Sequence, residues 1–334
     1  RRMAANSRMV RKQVDGEDFA VIVEPGEMVD DPVAWCISNQ SEIEELADTY
    51  PAILLRGLGV RDEVIFQRIR DVVVGEPSAY VYRSTPRTEL GDGVMTATEY
   101  PASEHILLHC ENAYQRDWPL RLAFCCLNPP TTGGQTPIAD VRAVTRAIGE
   151  DTLDLFERRG VRYVRNYHEG FDLDWRVVFQ TEDPAAVAAY CTEHDIEFTW
   201  LPDGRLRTSQ ICQAVARHPG TGERVWFNQA HLFHPSALGP DVQQDLLDIF
   251  GEEELPRNAC FGDGAAIDAA LLESVRQAFA DAAHVFDWQA GDVMILDNML
   301  AAHGRRPFTG PRQVLVSMGR MMSEWRTDND NDNE

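Results

Sequence analysis

The chain carries little positive charge and has a single lysine, Lys12, in 334 residues. Its 31 lysines and arginines face 54 acidic residues, which gives a formal net charge of −23. A field of that sign repels phosphate backbones and anionic lipids, so we expect neither nucleic acid nor a membrane as a partner. The preference for arginine over lysine is typical of a GC-rich bacterial genome. No apolar run approaches the roughly 18 residues of a membrane span, and no signal peptide is evident, so we expect a cytoplasmic protein.

The seven cysteines are odd in number and lack the CxxC spacing of zinc or redox sites. Cys125 and Cys126 are adjacent within an apolar run. This placement favours buried thiols in a reducing compartment over a disulfide framework.

One histidine of the nine, His109, has a carboxylate two positions on, at Glu111. Because side chains alternate faces along a strand, this spacing puts both groups on the same side of an extended segment. A second imidazole, His303, from a distant strand would complete the two-histidine, one-carboxylate set that holds non-haem Fe(II) with open positions. In isolation the tripeptide favours a half-buried strand histidine beside a solvated glutamate.

Two further segments predict a binding site for an acidic co-substrate beside that metal. Gly133 and Gly134 permit a tight turn, after which Thr136 places a hydroxyl at the start of a strand. Later, a strand runs into a loop that presents His303, and a Gly-Pro turn launches another strand at Arg312. An arginine binds a carboxylate through two charge-assisted hydrogen bonds. Taken alone, these features are also those of a hairpin turn and a solvated charge.

We predict one domain over residues 15–321 with a mixed α/β insertion at roughly 168–290. A loose basic arm, 1–14, precedes it, and a disordered acidic tail, 322–334, follows it. A capping box at Ser41–Glu44 predicts the start of a helix. The other predicted helices are 62–74, 141–148, 152–158, 185–194, 242–250 and 265–283. The predicted strands are 52–56, 106–111, 121–127, 161–167, 196–201, 292–297 and 312–318.

Seven segments, taken in order, carry a family resemblance. They are Tyr80–Arg87, Thr96–Pro101, His109–Tyr114, Gly133–Thr136, His218-Pro219, Trp226–His234 and His303–Arg305. This set resembles the TauD/TfdA-like (taurine dioxygenase) family of Fe(II)/2-oxoglutarate-dependent oxygenases, over about residues 60 to 318. Within that family the chain resembles the syringomycin-pathway aspartyl-hydroxylase-like members of peptide natural-product biosynthesis. The implied fold is mainly β with flanking helices, a double-stranded β-helix (jelly-roll) core.

The resemblance implies a role for each residue already singled out. His109, Glu111 and His303 would bind Fe(II), while Thr136 and Arg312 would bind the distal carboxylate of 2-oxoglutarate, with O2 as the oxidant. Iron halogenases of this superfamily have glycine or alanine at the carboxylate position, so Glu111 favours hydroxylation, epoxidation or desaturation. Taurine dioxygenase has a substrate-binding arginine where this chain has Val316, so taurine does not fit.

The implied substrate is an amino-acid-like small molecule, either free or presented on a carrier protein. The candidate substrate-binding residues are Arg83, Arg87, Asn112, Tyr114, Trp226 and Asn228. Two alternatives stay open: the aromatic residues could be core packing, and the arginines could pair with surface acids. The oligomeric state is not indicated.

Two other functions remain under consideration. A cupin-like metalloenzyme without 2-oxoglutarate would have no use for Thr136 together with Arg312. A catalytically silent jelly-roll that binds a small acid would be expected to have lost a metal ligand.

Overall fold

A computed structural model describes residues 9–14 and 18–323 of the chain. The strands are β1 (Met9–Gln13), β2 (Ala20–Pro25), β3 (Ala52–Leu55), β4 (Glu89–Gly91), β5 (Val94–Thr96), β6 (Ile106–His109), β7 (Asp117–Asn128), β8 (Thr132–Gly133), β9 (Ile138–Asp140), β10 (Val161–Asn166), β11 (Glu197–Trp200), β12 (Leu206–Cys212), β13 (Val215–Arg217), β14 (Arg224–Trp226), β15 (Arg257–Phe261), β16 (Ala283–His284), β17 (Val293–Asp297), β18 (Ala301–Arg305), β19 (Phe308–Thr309) and β20 (Gln313–Ser323). The helices are α1 (Pro32–Ser38), α2 (Gln40–Thr49), α3 (Glu63–Val73), α4 (Val141–Ile148), α5 (Glu150–Arg159), α6 (Trp175–Phe179), α7 (Pro184–Glu193), α8 (Ala230–Phe233), α9 (Pro240–Phe250) and α10 (Ala269–Asp281).

Two sheets form the jelly-roll that the resemblance implied. The larger sheet has the order β1-β2-β3-β17-β7-β20-β5-β4, and the smaller has the order β16-β9-β18-β6. Side chains from both sheets, among them Phe124 and Met294 from the larger and Ile138 and Ala301 from the smaller, share one buried cluster. The inner core therefore lies between the two sheets.

The central strand β7 shows why the middle of the large sheet is continuously apolar. Its Leu122, Phe124 and Cys126 face the inner core, whereas Ala123 and Cys125 face the helices α1 to α3 on the outer side. A strand buried on both faces has no polar alternation, as the sequence there shows. Cys125 and Cys126 are free and fully buried, as predicted.

The short helix predicted from the capping box is present as α2, but Ser41 does not cap it. Helix α1, which was not predicted, begins after Asp31, whose carboxylate accepts from the Val33 and Ala34 N–H groups. It ends at Asn39, and α2 begins immediately afterwards at Gln40. The Asn39 side chain donates back to the Trp35 carbonyl, so no side chain caps α2 and Ser41 lies inside its first turn.

A third sheet, of order β11-β12-β10-β15, lies in the segment between β9 and β16. The predicted limits of the insertion, 168 and 290, are wrong at both ends. Strand β10 begins at Val161 and pairs with β12 and β15, so it belongs to this third sheet. Strand β16, at 283–284, pairs with β9 of the smaller jelly-roll sheet. The division of the chain into one domain stays a prediction.

The predicted terminal segments need one correction each. Residues 9–13 of the predicted loose arm form β1, which satisfies the open edge of β2 from Met9↔Pro25 to Gln13↔Val21; residues 1–8 lie outside the described residues. At the other end, β20 runs on to Ser323 because it stays paired with β7 as far as Asp117. The rest of the predicted tail, 324–334, lies outside the described residues. Within the described part of the chain, no helix is both long and apolar enough to cross a membrane.

Candidate metal centre

Two histidines from neighbouring strands form one side of the centre. His109 is the last residue of β6, and His303 lies directly opposite it in β18. Their ring centroids are 4.6 Å apart. The predicted loop around His303 is therefore wrong, since β18 pairs on one side with β6 and on the other with β9. Gly304 makes this pairing possible, because a Cβ there would lie 2.6 Å from the Ile106 carbonyl oxygen.

Glu111 completes the set from a turn and not from the predicted strand. Strand β6 ends at His109, and Asn112 takes a positive φ of 57° just after the glutamate. The carboxamide of Asn298 replaces the strand partner: it accepts from the Glu111 N–H at 2.7 Å and donates to the Glu111 carbonyl at 2.8 Å. The Glu111 Oε2 still lies 3.3 Å from His303 Nε2 and 3.8 Å from His109 Nε2.

These three side chains could hold a metal ion. One ligand atom from each lies within 4.8 Å of the others. The His109 Nδ1 is 2.7 Å from the Leu107 carbonyl oxygen, so Nδ1 carries the proton and Nε2 keeps its lone pair for a metal.

The charge states of the centre also suit a metal. Burial lowers the pKa of His303 to about 4, against the opposing effect of Glu111, so the imidazole is neutral at physiological pH. Burial by itself would raise the pKa of Glu111, but the Arg87 guanidinium holds that pKa well below its usual range. Two imidazoles and one carboxylate are the donor set that non-haem Fe(II) takes.

Arg87 is buried against this centre. Its Nη2 lies 3.1 Å from Glu111 Oε2, so it pairs with an inner acid and not with surface acids. Arg83 braces the same loop by donating to the carbonyls of Tyr80 and Arg87, at 2.8 Å and 3.0 Å. Arg83 is thus engaged within the loop.

Thr136 and Arg312 meet, as their order in the sequence suggested. Arg312 Nη2 lies 3.4 Å from Thr136 Oγ1, and its Nε donates to the Gly134 carbonyl at 3.1 Å. Burial lowers the pKa of Arg312 to about 10. Among the described residues no carboxylate lies within salt-bridge distance of this guanidinium, which leaves it available to an anion. Thr136 lies in the loop before β9 and not in a strand.

The predicted glycine turn is confirmed. Gly133 and Gly134 both take positive φ, 67° and 70°. A Cβ at Gly134 would come within 2.5 Å of Pro130 Cγ and 3.3 Å of Arg312 Cδ. The missing side chains therefore let the turn approach the arginine closely.

The histidines and the Thr136–Arg312 pair line one cleft. Phe124 and Val314 contribute apolar walls, and Arg87 and Arg305 also line it. Glu111 contacts two lining residues, Arg87 and His303, but does not itself line the cleft. Five residues distant in sequence thus come together as the spacing argument expected.

Most of the predicted substrate residues do not reach this cleft. Trp226 is fully buried against Phe156, with ring centroids 4.6 Å apart, so the core-packing alternative holds for it. Asn228 bonds to the Ala214 carbonyl and the Ala230 N–H, and the Tyr114 hydroxyl donates to the Tyr82 carbonyl. Of the six candidates, Arg87 is the one found among the residues that line the cleft.

Two residues that support the site were missed from the sequence. Asn298 fixes the Glu111 backbone, and Trp288 Nε1 donates to Thr136 Oγ1 at 3.0 Å. The signal for Asn298 was present: an Asp-Asn pair directly follows an apolar strand, where a buried amide needs partners. Trp288 lies among residues with no strand or helix pattern, so nothing in the sequence marked it.

A jelly-roll with two histidines and a carboxylate beside an arginine–threonine pair defines an Fe(II)/2-oxoglutarate-dependent oxygenase. The family model described as "Taurine catabolism dioxygenase TauD, TfdA family" matches residues 21–318, and the chain belongs to that family. It is a 2-oxoglutarate-dependent non-haem iron dioxygenase, with Fe(II) as cofactor and 2-oxoglutarate and O2 as co-substrates.

Three similar proteins span most of the chain. The dapdiamide synthesis protein DdaC of Enterobacter agglomerans is 41% identical over 276 residues, which cover 83% of this chain and 84% of DdaC. PvcB of Pseudomonas aeruginosa, an Fe, α-ketoglutarate-dependent oxygenase from an isonitrile synthetic pathway, shares the fold with a TM-score of 0.51. It is 16% identical, with 97% of this chain and 96% of PvcB covered. A taurine dioxygenase from Burkholderia xenovorans has a TM-score of 0.54 at 15% identity, with 93% and 90% covered.

Proposed function

We propose that this enzyme hydroxylates, or otherwise oxidises, an unactivated C–H bond of an amino-acid-like small molecule. In this proposal His109, Glu111 and His303 hold Fe(II), and Thr136 and Arg312 hold the distal carboxylate of 2-oxoglutarate. The observation that carries the proposal is the convergence of the three ligand atoms beside the same cleft that Thr136 and Arg312 line.

The residues that line the cleft bind or orient the reacting groups in this proposal. Bound Fe(II), together with 2-oxoglutarate and O2, supplies the oxidising power that removes hydrogen from carbon. Arg312 provides a charged fork for one end of the co-substrate, and Thr136 adds a hydroxyl beside it. Phe124 and Val314 line the cleft with apolar surface, which limits the water around the reacting groups.

The substrate class rests on the relatives. An identity of 41% to a dapdiamide synthesis protein supports a role in natural-product biosynthesis. The substrate in this proposal is an amino-acid derivative, free or presented on a carrier protein, and the enzyme works in the bacterial cytoplasm. Epoxidation and desaturation would use the same site as hydroxylation, so the three reactions are distinguished by their products.

The test is succinate formation by the purified chain with Fe(II), 2-oxoglutarate and O2. One arm offers a panel of free amino acids and their acylated derivatives, and a second arm offers the same groups loaded on carrier proteins. We expect one group of related substrates to raise succinate well above the substrate-free rate. Mass spectrometry then separates the addition of one oxygen from the loss of two hydrogens. If no compound in either arm raises succinate and none is altered, the proposed substrate class is wrong.

A further inference from the structure

Arg87 has hydrogen-bonding capacity that the described residues leave unused. Its side chain is 2% exposed, and its Nη2 donates to Glu111 Oε2 at 3.1 Å. The buried Nε and Nη1 have no hydrogen-bond partner. Buried donors without partners are uncommon in native proteins and costly, which indicates that a ligand takes these two.

The other arginines of the cleft are more fully occupied. Both terminal nitrogens of Arg305 donate to backbone carbonyls, including those of Tyr100 and Pro101 at 2.9 Å and 2.7 Å. Arg312 is engaged with Gly134 and Thr136. Arg87 is therefore the guanidinium with two free nitrogens, and it lies at the metal end.

The contact with Glu111 fixes where those donors lie. Glu111 Oε2 is the oxygen that faces both imidazoles, so a group bonded to it lies at the edge of the metal position. The loop holds Arg87 there in advance, because Arg83 donates to the Arg87 carbonyl and the Arg87 guanidinium lies 5.3 Å from the centre of the Tyr80 ring.

We propose that Arg87 binds the carboxylate at the keto-acid end of 2-oxoglutarate. From the sequence, Arg87 was predicted to bind the substrate instead. The co-substrate is a dianion, and the cleft would then hold one arginine for each carboxylate: Arg312 for the distal one and Arg87 for the one beside the metal. This inference rests on the proposed function, since it takes the metal and the distal site as assigned there. A carboxylate of the amino-acid substrate could bind Arg87 through the same contacts. The test distinguishes that carboxylate from the one of 2-oxoglutarate.

The test measures binding by calorimetry to the full chain loaded with Mn(II), so that no turnover occurs. The probes are 2-oxoglutarate, which has both carboxylates, and pyruvate, which has only the keto-acid end. We expect Arg87→Gln to weaken both probes by roughly 10-fold or more, because a charge-assisted contact contributes about 1.5–3 kcal/mol. The matched control, Arg312→Gln, should weaken 2-oxoglutarate by a similar factor and leave pyruvate unchanged.

Arg87→Gln also removes the positive charge that pairs with Glu111, so a second variant that keeps this charge is needed. Arg87→Lys keeps a positive charge beside Glu111 and should load Mn(II), which is titrated separately by its paramagnetic resonance signal. It should still bind pyruvate several-fold more weakly, because one ammonium cannot replace the planar set of donors.

Two outcomes are decisive. The inference is overturned if both Arg87 variants bind 2-oxoglutarate and pyruvate within about two-fold of the wild type. In that case the carboxylate of the amino-acid substrate is the remaining group that Arg87 would bind. If the wild-type protein loaded with Mn(II) does not bind 2-oxoglutarate at all, the proposed assignment of the site fails, and that result is distinct from a failure at Arg87.

Discussion

At the residue scale, the centre depends on how one carboxylate is held. Glu111 is 3% exposed and bonds to Arg87 through its side chain and to Asn298 through its backbone. Charges removed from water need partners, and Arg87 and Glu111 provide them for each other in the absence of other ions. Stability and metal binding are therefore linked at this pair.

Removal of the carboxylate alone should damage both properties. We expect Glu111→Ala to abolish Fe(II)-dependent turnover and to lower the free energy of unfolding by about 3 kcal/mol or more, because Arg87 is left buried and unpaired. The double variant Arg87→Met, Glu111→Ala should regain most of that stability and none of the turnover. Chemical denaturation of the metal-free proteins, with succinate assays alongside, measures both. If Glu111→Ala were as stable as the wild type, the buried Arg87 would not depend on Glu111 as its charge partner.

Asn298 gives a second prediction, for a residue that cannot touch the metal itself. Its carboxamide bonds to the N–H and the carbonyl of Glu111 and also donates to the Pro119 carbonyl at 2.8 Å. Asn298→Ala should weaken Mn(II) binding roughly 10- to 100-fold, as the loss of a group that orients a metal ligand does. Asn228→Ala is the matched control, since Asn228 is equally buried and makes similar backbone bonds away from the cleft. If both variants lose the same metal affinity, or neither does, Asn298 has no positioning role.

At the element scale, the two histidines are aligned by the pairing of β18 with β6. The register is irregular between His303 and Arg305, and Gly304 occupies that irregularity. The backbone of β6 runs so close that only a residue without Cβ fits.

Gly304→Ala should therefore force β18 away from β6 at the metal site. The added Cβ would lie 2.6 Å from the Ile106 carbonyl oxygen, a contact that backbone movement alone can relieve. We expect a loss of about 1–3 kcal/mol in stability, as for other overpacked sites, and weaker Mn(II) binding because His303 moves relative to His109. Denaturation and metal titration test the two effects separately. Wild-type metal affinity in a folded Gly304→Ala protein would contradict the alignment role given to this pairing.

Elements that bury both faces or carry strong local signals were predicted from the sequence. Strands β3, β7 and β17 are apolar runs, and α3 begins after Asp62, which caps it. Strand β18 was missed because Ala301 to Arg305 has neither apolar alternation nor β-branched residues, and its pairing is decided by the strands on either side. The turn at Glu111 was missed for a similar reason: its hydrogen-bond partner, Asn298, is 187 positions away. Long-range partners of this kind leave no local pattern.

At the scale of the whole molecule, the segment between β9 and β16 also supports the metal centre. His218, in the turn between β13 and β14, has its Nε2 2.7 Å from Asp297 Oδ2, directly before Asn298. His231, in α8, donates from Nε2 to the Leu108 carbonyl at 2.9 Å, directly before His109. The metal ligands could be predicted from spacing in the sequence. The contacts of His218 and His231 could not, because they depend on how the segment between β9 and β16 packs.

His231 makes the stability of the whole fold sensitive to acid. It is 1% exposed, and its Nδ1 is buried without a hydrogen-bond partner. Burial lowers its pKa from 6.5 to about 4, against the opposing effect of its bond to Leu108, with His109 and Arg276 lowering it further. Above pH 6.5 the imidazole is neutral in both the folded and the unfolded chain. As pH falls from 6.5 towards 4, the unfolded chain takes up a proton that the folded chain does not, so the free energy of unfolding decreases.

The matched variant for this effect is His231→Gln, which keeps a donor for the Leu108 carbonyl and cannot titrate. Between about pH 7.5 and about pH 5, we expect the metal-free wild type to lose about 2 kcal/mol more stability than the variant, from the difference between the two pKa values. His303, whose pKa is also lowered to about 4, contributes in the same direction and remains in both proteins, so the variant keeps a smaller acid dependence. Urea denaturation in the presence of a chelator, at several pH values, measures the difference. Parallel stability curves for the two proteins would mean that His231 has the same pKa in the folded and the unfolded chain. Its environment would then be more polar than its burial implies.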